Sequence, residues 1–509
     1  MLNAADPALH DSGTSFLLKV LDTLASYVGE RNAVHKPVQG RIRPDELRKI
    51  IPFDKDGICF HDELLGICGK ILENSTQTQH PYFVSQLYGR ADCYGLAADM
   101  IVSALNTNVH VYDLSPVLTL VEKSVIGYLS RRFHLSNGDD FGDGVFVPGA
   151  STGTQYALHS ARHWFRPECK EGGNREAGRL VAFCSEAAHY SCTNSAMLLG
   201  IGSRNMRKIA CDQNGRMLVG RLREEIEHSR AVGEEPFCVV ATAGTTVLGS
   251  FDPINEIADL ANEYNLWLHV DAAWGGASLL SAKHEHYMSG VGRADSLVFN
   301  AHKILGLPIQ CSALLMHSRH GDILADAISI HAPYLHQADR VKHEENLDIS
   351  KKTFQCGRKG DALKFWMLRK AVGDEGISER VDSCVDGALV LAEKIRERGR
   401  RDGSFILKSS IFATTCFWYV PSIFRKFSAH DDPKDFDFDL ASVAPGIKEY
   451  MLANGYNCML GYADAPNAPT FFRWAMTNPP LDRNFIGSDL DVILDSIEEV
   501  GERIFGEDN

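Results

Sequence analysis

The sequence predicts an α/β fold built on a large, mainly parallel sheet. From Val117 onward, apolar β-prone runs alternate with helical patterns, and the stretch from Phe237 to Trp274 reads as a complete strand-helix-strand unit. A third observation is that small or polar residues directly follow several of these strands. Ligands of open α/β sheets bind beyond the carboxyl ends of the strands, so we expect these residues to share one edge of the sheet.

The composition fits a large globular protein. The chain has 509 residues, 44% of them hydrophobic, which is enough for a large core and roughly three domains. A net charge of -14 argues against a nucleic-acid-binding surface. The thirteen cysteines include no CxxC pair, which fits reduced thiols better than a zinc finger or a disulfide framework. The N-terminal residues show no basic leader, and no uncharged apolar run reaches roughly 18 residues. We therefore expect a cytoplasmic protein that binds neither nucleic acid nor membranes.

The pattern divides the chain into three parts. Residues 1–115 are expected to form a mainly helical segment, interrupted by prolines. Residues 116–377 carry the helix-strand alternation and form the predicted large domain. Residues 378–509 open on an amphipathic helix and are expected to form a small α+β domain, with strands in SSIFATTCFWYV and PTFFRWAMTN and a closing helix in DLDVILDSIEEVGERIF.

Three turns of the large domain carry candidate ligand-binding residues. A short strand precedes GASTG and a helix, which is how unpaired amides at a helix N-terminus hold a phosphate, although helix capping also explains this turn at Ser151. His189 follows the next strand, where its ring could stack on a flat cofactor or simply begin a helix. Thr246 follows the third strand, in the turn Gly244-Thr245-Thr246.

Two further strands end at opposite charges. LWLHVDAAWGG places Asp271 at the end of one strand, and ADSLVFNAHK places Lys303 just beyond the next. Pyridoxal phosphate (PLP) needs an amine that forms its Schiff base and an acid that keeps its ring nitrogen protonated. Taken alone, Asp271 could cap a turn and Lys303 could be a solvated lysine. Their convergence with the three preceding turns favours a PLP site.

Beyond Lys303, a polar segment with little periodicity, ISIHAPYLHQADRVKHEENLDISKK, is either a disordered excursion or an active-site lid.

Arg358 then precedes a helix, where it is either a surface charge or a clamp for a carboxylate. His284 and His286 lack the helical spacing of HExxH, so no metal site is expected.

With these residues in hand, the chain resembles the group II PLP-dependent amino-acid decarboxylases. The resemblance rests mainly on HVDAAWGG and NAHK at this separation, and it covers nearly everything from about His80. It is closest to the branch that contains glutamate, cysteine sulfinate and aspartate decarboxylases. It implies PLP fold type I, the aspartate-aminotransferase-like fold with a seven-stranded sheet, and a homodimer with active sites at the subunit interface. The implied reaction is α-decarboxylation of an acidic amino acid.

The resemblance also implies a role for each matching residue. Lys303 resembles the Schiff-base lysine, Asp271 the partner of the ring nitrogen, and His189 the histidine that stacks on the ring. Tyr334 matches the lid tyrosine that protonates the substrate carbon. The other matches are Ser151 and Thr152 in the phosphate turn; Thr246, Asn300 and His302 lining the cofactor pocket; and Gln86 and Arg358 holding the substrate's carboxylates.

The choice of acid stays open at this point. Asn108 agrees with glutamate decarboxylases, whereas Tyr88 is more like the aspartate and cysteine sulfinate enzymes. His110 departs from both, because the family usually has Phe or Tyr there. An imidazole could favour a sulfinate, a sulfonate or a shorter carboxylate. An aminotransferase, an aldehyde-forming oxidative deaminase and a non-catalytic scaffold on the same fold remain the alternatives.

Overall fold

A seven-stranded sheet forms the centre of the molecule. Its strands, numbered along the chain, are β1 (Asp143–Val147), β2 (Leu180–Ser185), β3 (Met206–Ile209), β4 (Glu235–Thr242), β5 (Trp267–Asp271), β6 (Ser296–Asn300) and β7 (Ser312–Met316). They lie side by side in the order β1-β7-β6-β5-β4-β2-β3. The pairs within β6-β5-β4-β2-β3 are parallel, whereas β7 runs antiparallel to both of its neighbours. The computed structural model describes residues 7–30, 38, 42–53, 60–136, 142–330, 347–425, 440–465, 468–478 and 486–506. The predicted fold class is confirmed.

The N-terminal part of the chain is mainly helical, as its pattern predicts, and four helices lie in the described part of residues 1–115. They are α1 (Pro7–Gly29), α2 (Pro44–Ile50), α3 (His61–Asn74) and α4 (Cys93–Leu105). Asp92 caps α4 through its carboxylate, which accepts the amides of Tyr94 and Gly95. The left-handed residue Asn106 ends α4 and turns the chain toward the sheet domain.

Strands and helices then alternate along the chain. The elements are α5 (Pro116–Arg132), β1 (Asp143–Val147), α6 (Ala150–Phe165), α7 (Cys169–Gly172), β2 (Leu180–Ser185), α8 (Ser191–Leu198), β3 (Met206–Ile209), α9 (Val219–Ala231), β4 (Glu235–Thr242), α10 (Ile254–Tyr264), β5 (Trp267–Asp271), β6 (Ser296–Asn300), β7 (Ser312–Met316) and α11 (Ile323–Ile328). Every residue of β5, β6 and β7 is buried, which explains their nearly continuous apolar sequence. Helix α6 packs across β4, β5, β6 and β7.

A long helix, α12 (Ala362–Asp402), connects the large sheet with a smaller one. It bends at Gly373, whose φ of 69° and ψ of -178° lie outside the helical region. The predicted domain limits, 1–115, 116–377 and 378–509, stay a prediction, and the last of them falls inside α12.

The C-terminal part is an α+β unit. Its elements are β8 (Phe405–Ile411), β9 (Thr414–Tyr419), α13 (Leu440–Ala453), β10 (Gly461–Ala465), β11 (Ala468–Ala475) and α14 (Ile486–Phe505). The four strands form an antiparallel sheet in the order β10-β11-β9-β8. SSIFATTCFWYV, expected as strand, contains a tight turn at Phe412, whose φ is 54°, so it contributes to both β8 and β9.

The described helices include none that is both long and apolar enough to cross a bilayer.

Candidate active site

Four strands of the large sheet deliver the predicted residues to one edge. Asp271 is the last residue of β5, and Lys303 comes three residues after the end of β6. In the parallel pairing, Thr242 lies opposite Asp271 and Asp271 lies opposite Val298. The turn with Thr246 after β4 and the turn with His189 after β2 leave the sheet at the same edge.

Lys303 lies in a surrounding that favours its neutral form. Burial lowers the pKa of its amine, the carboxylate of Asp271 opposes that effect, and the guanidinium of Arg473 adds to it. A lysine with a lowered pKa is a nucleophile at neutral pH, as Schiff-base formation requires. Asp271 is buried, and one of its oxygens accepts the amide of Ala273 at 3.1 Å.

His189 is held in one orientation by the residue two positions later. The amide of Ser191 donates to Nδ1 of His189 at 3.3 Å, and the Ser191 hydroxyl lies 2.8 Å from the same nitrogen. Because Nδ1 accepts the amide hydrogen, the neutral ring carries its proton on Nε2. Burial lowers the pKa of His189, so the ring is neutral near pH 7 and presents a flat apolar face.

The helix N-terminus expected to hold a phosphate is α6. Its first turn contains Ser151 and Thr152, and the preceding Gly149 has a φ of 92° that favours glycine. A Cβ on Gly153 would lie 2.4 Å from a methyl group of Val298 on β6. This close approach places the start of α6 against the strand that leads to Lys303. The amides of Thr152 and Gly153 donate to the carbonyl of Gly149, and the N-terminus of α6 stays the predicted phosphate site.

Two polar residues, predicted to line the cofactor pocket, lie at the end of β6 and just beyond it. Asn300 is buried, and its side-chain oxygen has no hydrogen-bond partner among the described residues. Nδ1 of His302 lies within hydrogen-bond distance of the Cys311 backbone, and burial lowers the pKa of His302 to about 4. A buried amide oxygen without a partner indicates that a ligand supplies one.

Arg473, on β11 of the small sheet, is a functional residue that sequence reasoning missed. Its guanidinium donates to the carbonyl oxygen of Thr246 at 3.1 Å and to that of Ser85. Its Nε is buried without a partner among the described residues, and its charge acts on the Lys303 amine. The available signal was a single cation within the apolar strand PTFFRWAM. Gln86 follows Ser85 in the chain, and its role in holding a carboxylate stays a prediction.

Arg358 is paired inside the subunit. It is buried, and its guanidinium contacts Glu122 at 2.6 Å, the carbonyl of Val109 at 2.7 Å and that of Phe146 at 2.9 Å. Both side chains of the Arg358–Glu122 pair are only 2% exposed. The alternative reading of Arg358 as a surface charge is therefore wrong, and its role as a clamp for a substrate acid stays a prediction.

The specificity candidates divide between two places. The side chain of Asn108 donates to the carbonyl of Cys356 and accepts the amide of Arg358, both at 2.9 Å. It therefore links its own loop to the segment that contains Arg358. His110 lies in the same loop, is buried, and accepts the amide of Ser350 through its carbonyl. Tyr88 packs instead beside Phe83, with ring centroids 5.9 Å apart, in the segment that contains Gln86. Tyr334 lies outside the described residues.

A cavity of about 700 Å³ adjoins the site. Its lining includes His189 and Thr246 from the large sheet domain and Lys408 and Trp418 from the small sheet. Among the residues that the structure describes, no group of three or more His, Cys, Asp or Glu is placed to hold a metal ion. A buried lysine with a lowered pKa, a buried carboxylate, a flat ring and a helix N-terminus together match the groups of PLP.

Comparison with known proteins agrees with this geometry. Residues 44–420 match the family model described as the pyridoxal-dependent decarboxylase conserved domain. The chain is 39% identical to the acidic amino acid decarboxylase GADL1 of Xenopus tropicalis, over 90% of this chain and 86% of that protein. It is 36% identical to the cysteine sulfinic acid decarboxylase of Rattus norvegicus, over 90% of each. The crystal structure of mouse CSAD in apo form superposes with a TM-score of 0.88 at 35% identity, covering 97% of this chain and 99% of that one. The chain therefore belongs to the family of pyridoxal-dependent decarboxylases.

Proposed function

We propose that this protein removes the α-carboxylate of an acidic amino acid, with glutamate, aspartate, cysteine sulfinate and cysteate as the candidate substrates. The observation that carries the proposal is the placement of Arg473 beside the Lys303–Asp271 pair. The substrate class is supported by the relatives, whose names specify acidic amino acids and cysteine sulfinic acid.

The cofactor contributes one element of the chemistry, since PLP held at Lys303 supplies an electron sink for the bond that breaks. The carboxylate of Asp271 lies at the buried end of the site, where it would stabilise a protonated ring nitrogen. Ser151, Thr152 and the first-turn amides of α6 hold the phosphate, with His302 and Asn300 on the same side. His189 covers the ring face.

Arg473 orients the substrate in this proposal. A guanidinium next to the reacting amine binds the α-carboxylate through paired hydrogen bonds and, with Gln86, fixes the direction of the bond to Cα. That direction selects which bond breaks, because only a bond perpendicular to the cofactor ring feeds electrons into it. Tyr334, by family resemblance, then donates a proton to Cα.

The first test identifies the reaction. Purified protein with PLP is incubated with the four acids, and CO2 and the organic product are quantified separately. We expect CO2 and the matching amine in equal amounts, with kcat/KM ranking the acids. An aldehyde product, an α-keto acid or the absence of turnover with all four acids would contradict the proposal. Borohydride reduction should attach the cofactor to the peptide that contains Lys303.

The second test concerns Arg473. Arg473→Gln should lower kcat/KM about 10- to 100-fold, since it removes charge-assisted hydrogen bonds worth about 1.5–3 kcal/mol. Arg503→Gln is the matched control, because Arg503 lies on the exposed face of α14. Equal activity of the two variants would contradict the proposed role of Arg473 in binding the substrate.

The proposed assembly is a homodimer with active sites at its interface. Helices α4 and α5 flank the loop that contains Asn108 and His110, and they expose a band of apolar side chains. The band comprises Tyr94, Met100, Ile101, Leu105, Leu114, Val117 and Leu120. An apolar band of this kind favours a protein partner, and a second copy would bring the loop toward the partner's site. Tyr88, Asn108 and His110 are the proposed determinants of the acid that is chosen.

The proposed location is the cytoplasm. The twelve cysteines in the described part of the chain are all free, which suits a reducing compartment. Subcellular fractionation of the native host cells tests this, and recovery of the protein in an oxidising compartment would contradict it.

A further inference from the structure

Three side chains behind His189 form a cluster that the decarboxylation mechanism does not use. Cys184, near the end of β2, lies directly opposite Lys208 of β3 in the parallel register. The Lys208 amine is 3.2 Å from the Cys184 sulfur. The Cys192 thiol, in the first turn of α8, donates a hydrogen bond to the same sulfur. Cys184 and Cys192 are both fully buried.

These contacts shift the pKa values of the two thiols in opposite directions. The hydrogen bond from Cys192 lowers the pKa of Cys184 against the effect of burial, and the Lys208 ammonium lowers it further. The same hydrogen bond, together with burial, raises the pKa of Cys192 well above its usual value. Cys238 on the adjacent β4 offers a comparison, because burial raises the pKa of its thiol. A thiol beside a lysine is more reactive than other buried cysteines because the thiolate is the nucleophile.

We propose that Cys184 and Cys192 are a redox modification site, in which Lys208 activates Cys184 and a peroxide converts the pair into a disulfide. The Cys184 thiolate attacks one peroxide oxygen, which forms an S–O bond and breaks the O–O bond, with hydroxide as the leaving group. Cys192 then attacks the oxidised sulfur, which forms the S–S bond and expels the oxygen as water with the thiol proton. Two thiols and one hydrogen peroxide thus give one disulfide and two waters.

The position of the cluster gives the oxidant a route to it. Strand β3 is the edge of the large sheet, and the Lys208 side chain is exposed even though its amine reaches Cys184. Hydrogen peroxide is about the size of water, and the proposed route to the buried sulfur passes the Lys208 side chain.

The disulfide would act on the cofactor site through the turn before α8. The amide of Cys192 donates to the carbonyl of His189 at 3.2 Å, and the intervening Ser191 holds the His189 ring. A covalent link from Cys192 to β2 therefore restrains the segment that positions this ring. We expect the oxidised protein to bind PLP less tightly, as a lower absorbance of the bound cofactor.

The experiment uses the full chain with PLP and graded hydrogen peroxide. Peptides are mapped by mass spectrometry without reduction. The wild type should yield a peptide pair that links Cys184 to Cys192 and lacks two hydrogens, and dithiothreitol should reverse the link. Cys184→Ser and Cys192→Ser should each abolish the link, and Cys238→Ser should retain it. Lys208→Gln should slow its formation several-fold, whereas Arg207→Gln, which alters the neighbouring residue on the same strand, should not.

Two outcomes would overturn the proposal. One is oxidation of the exposed Cys93 and Cys356 while Cys184 and Cys192 remain thiols. The other is formation of the link at the same rate in Lys208→Gln as in the wild type. The mass measurement needs no substrate, so it stands apart from the proposed decarboxylation.

Discussion

Arg358 and Arg473 carry the same chemical group in different surroundings. Arg358 lies within 2.6 Å of Glu122 and donates to two carbonyls, so its charge is satisfied before any ligand arrives. Among the residues that the structure describes, Arg473 donates to carbonyls only, and its buried Nε beside Lys303 has no partner. An uncompensated buried cation attracts a carboxylate, whereas a paired one stabilises the fold.

Arg358→Gln should therefore affect stability. Removing the cation leaves Glu122 buried without its counter-charge, which costs about 3–5 kcal/mol in the free energy of unfolding. Denaturant titration measures this cost. Adding Glu122→Gln should recover part of it, since the stranded charge is then gone. Unchanged stability combined with a raised KM for the acidic substrate would favour the clamp role instead.

At the scale of elements, the contact of α6 with β6 sets the geometry of the cofactor site. Gly153 allows the helix to approach Val298 so closely that no side chain fits between them. The N-terminus of α6 consequently lies against the strand that leads to Lys303. The phosphate turn and the lysine thus keep a fixed separation.

Gly153→Ala should disturb that separation. The added Cβ would lie 2.4 Å from a methyl group of Val298, and relief of the overlap costs about 1–3 kcal/mol of stability. We also expect weaker PLP binding, measured by titration of the cofactor into the apoprotein. Adding Val298→Ala should restore both quantities. Gly220→Ala on α9, where nothing lies within 4 Å of the new atom, is the control. Unaltered PLP affinity in Gly153→Ala would show that the spacing is not critical.

At the scale of the whole molecule, the exposed apolar band on α4 and α5 supports the proposed dimer. Val117→Glu should weaken association, because Val117 is 67% exposed in the single chain and an apolar contact would exclude a charge there. Light scattering across a concentration series measures the mass. Leu389→Glu, at an exposed site on α12, is the control. A monomeric wild type would remove the dimer proposal.

Acid stability is a second property of the whole molecule. Burial lowers the pKa of His269 from 6.5 to about 4, so the unfolded chain binds a proton at this residue in a range where the native state does not. Its contribution to stability is therefore complete above pH 6.5 and decreases as the pH falls toward 4. Between pH 7 and pH 5 this amounts to about 2 kcal/mol for this one residue.

His269→Gln tests that contribution. The free energy of unfolding should fall less between pH 7 and pH 5 in the variant than in the wild type. Comparing the variant with the wild type removes the contribution of the other titrating groups. One of these is Asp252. Burial raises the pKa of its carboxyl group to about 6, so its contribution to stability changes with pH in the opposite direction. Equal pH dependence in both proteins would contradict the assignment.

Much of the fold was predictable because it rests on local patterns. Apolar runs of strand length, amphipathic helices and the turns between them are encoded in neighbouring residues, so β4, α10 and β5 follow from the sequence. The hairpin turn at Phe412 did not follow, because no glycine or proline marks it. The proximity of Lys303 and Asp271 also followed from the sequence, since both are tied to the ends of predicted strands.

The sequence by itself determined the sheet edge, the Lys303–Asp271 pair and the family. Only the tertiary structure decided how the two arginines are placed, because Arg358 and Glu122 are 236 residues apart and Arg473 reaches Lys303 from another sheet. It also revealed the Lys208–Cys184–Cys192 cluster, whose members lie on separate elements. Charge pairing across such distances depends on packing, and no local pattern in the chain reports it.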